Sequence, residues 1–149
     1  ENLDDLVLTI EARMLDELDT ALQRLPQIAD PRAHLLQLAQ AYLAFTHENP
    51  RRWNLLFEHH LPAGIDVPQS YRDKLEGLLA RIEAAIEPLT GSTETAEIQR
   101  NARVLWAGVH GITSLSTADK LSSVTAESAW PLVKDLVETY LDGLAVRKK

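Results

Sequence analysis

The sequence predicts an all-α fold of about six helices in one domain covering residues 1–149. Three observations carry that reading. Apolar residues recur at steps of three and four, prolines and glycines gather between those stretches, and no segment alternates as a half-buried strand would. Composition agrees, with 45% hydrophobic residues and only 6 glycines, unlike a disordered chain or a turn-rich β-sandwich. A chain of 149 residues also has the length to bury a substantial core.

The elements follow in order. Residues 3–25 form a first helix on Leu3, Leu6, Val7, Ile10, Met14, Leu18, Ala21 and Leu25, ended by Pro26. Asp30-Pro31 is an N-cap followed by proline at the first helical position, opening a second helix to about Glu48 with Leu35, Leu38, Ala39, Tyr42 and Leu43 inward. Asn49-Pro50 repeats the signal and starts a short third helix to about His60, with Trp53, Leu56 and Phe57 on its apolar side. The stretch LPAGIDVP is a loop. A fourth helix covers about Gln69 to Glu87, with Tyr71, Leu75, Leu78, Leu79, Ile82 and Ile86 inward. Residues 89–93 break the chain and supply the cap of a fifth helix running to about Ala118. The last helix spans roughly Ala126 to Val146, beginning near Ser128 or kinking at Pro131.

Charge narrows the function. A net charge of −7 suits this piece poorly for gripping a phosphate backbone, and the three basic residues at its end are too few to reverse that. Without cysteine, disulfides and thiolate metal sites are excluded. No apolar run approaches the roughly 20 residues that cross a bilayer. A cytoplasmic protein without membrane attachment is expected, and the glutamate at position 1 suggests a start inside a longer protein or after processing.

Enzymatic motifs are missing. Adjacent His59 and His60 point about 100° apart on a helix, so EHH at 58–60 is a poor chelate, and no HExxH pattern occurs. There is no nucleophile elbow, phosphate-cradling loop or dinucleotide fingerprint. No metal, no cofactor and no catalytic residue is expected.

The fifth helix holds the informative stretch. Residues 104–118, VLWAGVHGITSLSTA, carry no formal charge apart from what His110 holds. A helix apolar all round is enclosed all round. On a wheel, Ile98, Ala102, Leu105, Val109 and Ile112 form a core stripe. Trp106, His110 and Thr113 lie to one side, and Ala107, Gly108 and Gly111 with Val104 and Leu115 to the other. Small residues four apart admit a close helix, either from a second subunit or from the same chain in a monomeric bundle. The mixed aromatic and polar side, with Tyr42, Thr46, Trp53 and Phe57 earlier, has the character of a small-molecule site, whereas each residue taken alone is more simply core.

The pairing of AYLAFTHENPRRWNLLFEHH (41–60) with LWAGVHGITSL (105–115) resembles the C-terminal regulatory domain of TetR-family transcriptional repressors. It is similar in particular to the subgroup named for a Trp-His-Gly pattern, matched here by Trp106, His110 and Gly111, with Phe45, Asn49 and Pro50 matching a second phrase. The resemblance implies a homodimer joined through the last two helices, an effector pocket in each subunit, and a first helix that tilts when effector binds. It also implies operator DNA read by an N-terminal helix-turn-helix, a segment these residues do not contain. The expected ligand site is Tyr42, Thr46, Trp53, Phe57, Trp106 and His110 with walls from Leu78, Leu79 and Ile82, His110 orienting a small apolar or aromatic effector. The expected dimer face is Ala107, Gly111, Leu115, Leu136, Val137, Tyr140 and Leu144. The alternative is an all-α protein–protein interaction module with a filled core; a small helical enzyme is a third class without supporting residues.

Overall fold

A computed structural model describes residues 2–148, with Phe57 described through its backbone alone. Among the described residues there are six α-helices, one short 3-10 turn and no strand: α1 (Leu3–Gln23), α2 (Pro31–Glu48), α3 (Pro50–Glu58), α4 (Gln69–Thr90), α5 (Thr95–Thr117) and α6 (Ala129–Arg147), with the 3-10 turn at Leu121–Ser123. α2 packs against every other helix, while α5 lies between α4 and α6.

Local chemistry sets most boundaries. Asn2 and Asp5 form a reciprocal capping box on α1, with Asp5 N donating to Asn2 Oδ1 at 2.9 Å and Asn2 N to Asp5 Oδ2 at 3.2 Å. Asp30 caps α2 by accepting from Ala33 N at 2.8 Å, with Pro31 behind it. Asn49 holds the N-cap position of α3, but its side chain makes no capping bond there; proline at the first position starts that helix. α6 begins after Ser128, which places Pro131 third in the helix, where its missing N–H would have had no intrahelical partner. No kink is needed.

Two expectations fail at helix ends. α4 does not stop at Glu87 but runs through Pro88 to Thr90, closing at Gly91 in the left-handed region at φ 68°. Pro88 costs the bond to the carbonyl of Ala84, an exposed residue whose oxygen water can satisfy, and Thr90 Oγ1 donates to the Glu87 carbonyl at 3.0 Å. The first turns of α1 are less buried than their stripe suggests. Leu3 and Leu6 are 72% and 58% exposed, and only Val7 among their neighbours is enclosed.

α1 carries a second surprise. Glu11 is buried beside the end of α3, with Oε1 lacking a hydrogen-bond partner. Burial pushes its carboxyl above the ordinary value of 4.5, an effect His59 partly offsets. The neighbouring Tyr71 hydroxyl is pushed up to about 12 by its own burial and by Glu11. A carboxyl with a raised folded-state pKa contributes stability below its unfolded value and loses it as pH rises through the folded value. Glu11→Gln is therefore expected to raise the melting temperature at neutral pH by about 2–4 °C, the response to roughly 1 kcal/mol at this size, and to change little near about pH 4. Melting curves of both proteins across that range check it; an equal effect at both ends would contradict the assignment.

Candidate ligand-binding cavity

The cavity lies where the leucine stripes of α1, α2 and α4 fail to meet. Its volume is about 70 Å³. Leu15, Leu18 and Leu22 of α1, Leu35, Leu38 and Ala39 of α2, and Leu75, Leu78, Leu79 and Ile82 of α4 form most of the wall. Leu56 of α3, Leu105 and Val109 of α5, and Val137 of α6 complete the apolar surface. The polar-tipped side chains on the wall are Tyr42, Trp53, Trp106 and Arg81. Such a surface favours an apolar occupant for the same reason that it would favour collapse: both remove hydrocarbon from water.

An aromatic cluster forms one end. The Trp53 ring is wholly buried, edge-on to Tyr42 at 5.2 Å and to Phe45 at 6.1 Å, with the His110 ring at 6.3 Å. Trp106 and His110, one turn apart on α5, stack with centroids 4.9 Å apart and planes 10° from parallel. Tyr42 Oη meets His110 Nδ1 at 2.9 Å and also bonds the Trp106 side chain. An indole N–H only donates, so Tyr42 accepts from Trp106, and its own proton is available to His110 Nδ1 when that nitrogen is the unprotonated one. Burial acts the same way on both partners, lowering the His110 pKa and raising the Tyr42 hydroxyl well above the ordinary phenol.

The expected site residues divide into three groups. Tyr42, Trp53, Leu78, Leu79, Ile82 and Trp106 line the cavity. His110 is not among the lining residues; it touches two of them, hydrogen-bonding Tyr42 and stacking on Trp106. Thr46 is also absent from the lining, being fully buried with Oγ1 donating to the Leu43 carbonyl of its own helix at 2.8 Å. The Phe57 side chain lies outside the described residues. The α1 leucines and Arg81 were missed. Their signal was present, since Leu15, Leu18 and Leu22 are spaced by three and four, but spacing does not distinguish a cavity wall from a filled core.

The expected dimer face also needs revision. Ala107, Gly111 and Leu115 are exposed on α5, and Val104 joins them at 52% exposure to make one continuous stripe. Leu136 and Tyr140 are half-buried in the seam between α5 and α6. There Leu136 packs so closely on Gly108 that an added side-chain carbon would meet its methyl at 2.8 Å, and Tyr140 Oη donates to Asn101 Oδ1 at 3.0 Å. Val137 and Leu144 are 0% and 4% exposed within the single chain, enclosed by its own helices.

Among the described residues no helix is long and apolar enough to cross a membrane, and no group of three His, Asp or Glu side chains is placed to hold a metal ion. The chain is thus an all-helical bundle around an apolar cavity, with small residues exposed on α5. Residues 35–140 match the family described as "Tetracyclin repressor-like, C-terminal domain", and the chain belongs to that family. The fold is similar to that of a solved structure described as "Structure of a protein with unknown function from Rhodococcus sp. RHA1". The two superpose with a TM-score of 0.70 at 21% identity, covering 96% of this chain and 71% of that one. No curated protein matches the sequence.

Proposed function

We propose that these residues are the effector-sensing and dimerisation domain of a TetR-like transcriptional repressor acting in the cytoplasm. The cavity takes a small, largely apolar or aromatic effector, and a homodimer forms through the exposed stripe of α5 with the neighbouring surface of α6. Operator DNA is contacted through a helix-turn-helix on the N-terminal side of α1, while the acidic domain itself stays off the phosphates. Trp106, His110 and Gly111 support a further reading of the chain as a member of the Trp-His-Gly subgroup.

The observation that carries this reading is the cavity, above all the three leucines that α1 contributes to it. α1 is otherwise tied to α3 and α4 by ion pairs on its outer side: Asp16 to Lys74 at 2.6 Å, Asp19 to Arg81 at 2.6 Å and Glu17 to Arg52 at 3.2 Å. Pairs this exposed contribute about 0–1 kcal/mol each, so they guide α1 without locking it. A ligand wedged against Leu15, Leu18 and Leu22 competes with that packing and shifts α1. For a switch, the effector must bind the two α1 positions unequally.

The test is ligand-dependent stabilisation. A screen of apolar and aromatic compounds should find some that raise the melting temperature, since a ligand at about 100 times its Kd adds roughly 2.7 kcal/mol. Ala39 lines the cavity, and Ala39→Phe fills it without adding polarity. That variant should lose the ligand response. A screen with no stabilising compound would favour the interaction-module reading instead.

A further inference from the structure

The cavity wall contains one charged residue among eighteen, Arg81, at its mouth. The side chain is 28% exposed and lies between wall residues Leu78, Leu79 and Ile82. One guanidinium nitrogen, Nη2, donates to Asp19 Oδ1 at 2.6 Å. The Nε–H is different: it is buried and has no hydrogen-bond acceptor within the chain. A buried donor on a cationic group without a partner is costly, and native structures rarely leave one so. An acceptor for it can come from whatever occupies the cavity that Arg81 lines.

We infer that the ligand is an amphipathic anion, an apolar chain or ring system ending in one carboxylate, with the carboxylate held by Arg81 at the mouth. The inference rests on the cavity being the effector site. Geometry supports the orientation, since Arg81 and Asp19 keep 28% and 37% of their side chains in solvent while the wall elsewhere is leucine and aromatic. A carboxylate is the natural complement, because it is planar and accepts from guanidinium N–H groups with charge assistance. An ammonium ligand would instead meet a like charge on the wall. The anion also competes with Asp19 for the guanidinium, so its binding loosens one of the ties that hold α1 to α4.

Isothermal titration with decanoate, decan-1-ol and decylamine at about pH 7.5 separates the possibilities, because the three share one chain and differ in the head group. Decanoate is expected to bind at least about tenfold more tightly than decan-1-ol, with decylamine weakest. Arg81→Gln should erase the preference for decanoate and leave decan-1-ol unchanged. Asp19→Asn breaks the same ion pair but keeps the guanidinium, and should hold decanoate as tightly as the wild type or more so. Equal affinity of the wild type for decanoate and decan-1-ol would overturn the inference while leaving the cavity reading standing, as would a preference that survives Arg81→Gln. Binding of none of the three would also overturn the inference, while the cavity reading stands or falls on the compound screen.

Discussion

Replacing Trp53 by alanine is expected to remove about 3–5 kcal/mol of stability, the largest loss for any single side chain in this fold. Trp53 is 2% exposed, touches both Tyr42 and Phe45 edge-on, and joins α3 to the cluster that α2 and α5 share. α3 has only nine residues, too few for a helix that is stable alone, so its position depends on that anchor. Removing the indole enlarges the cavity from one end and leaves the Tyr42–His110 pair without its packing wall. Urea unfolding followed by circular dichroism measures the loss. A change below about 1 kcal/mol would mean that α3 is held by something else.

The second large effect concerns assembly. Gly111→Glu is expected to turn a homodimer into a monomer of 16.6 kDa while leaving each subunit at least as stable as before. Two observations make that combination specific. A side-chain carbon built at Gly111 meets nothing within 4 Å, so the substitution does not disturb the chain's own packing. Glycine in a helix interior also costs about 1 kcal/mol relative to alanine, so most replacements favour α5 itself. Across a two-fold axis, however, a glutamate beside Ala107 and Leu115 would sit close to its own copy, with both charges removed from water. Sedimentation of the two proteins at micromolar concentration decides the matter. A wild type that already sediments at 16.6 kDa, or a variant that remains twice that mass, contradicts the proposed face.

Most of the fold was legible because its punctuation is local. Asp30 fixes the start of α2 by capping, and Pro31, Pro50 and Pro26 mark helix ends through the missing proline N–H, effects that do not depend on distant residues. Pro88 shows the limit. Near a C-terminus, proline sacrifices one bond to an exposed carbonyl, and burial of Thr90 is enough to carry the helix past it. The cavity was half legible. Tyr42, Trp53 and Trp106 stood out by side-chain chemistry, but Leu15, Leu18 and Leu22 have the same spacing whether they meet hydrocarbon or empty space. That difference belongs to how far apart three helices rest, which no single helix encodes.

His110 and α6 illustrate a second kind of limit. A wheel places His110 on the same side as Trp106, but it does not foresee that His110 stacks on Trp106 and hydrogen-bonds Tyr42 across to α2. On α6, Val137 and Leu144 share the apolar stripe with Leu136 and Tyr140, but a rotation of the helix by a fraction of a turn decides which of them its own chain covers. Periodicity identifies the stripe. Tertiary packing assigns its edges.

The central claim is that the cavity binds a ligand that α1 feels. It is tested most directly by the melting temperature of the wild type and of Ala39→Phe, each with and without a compound selected in the screen. The account predicts a rise of at least about 4 °C in the wild type at about 100 times the Kd, and no rise in the filled variant. A rise of the same size in both would place the ligand elsewhere and contradict the account.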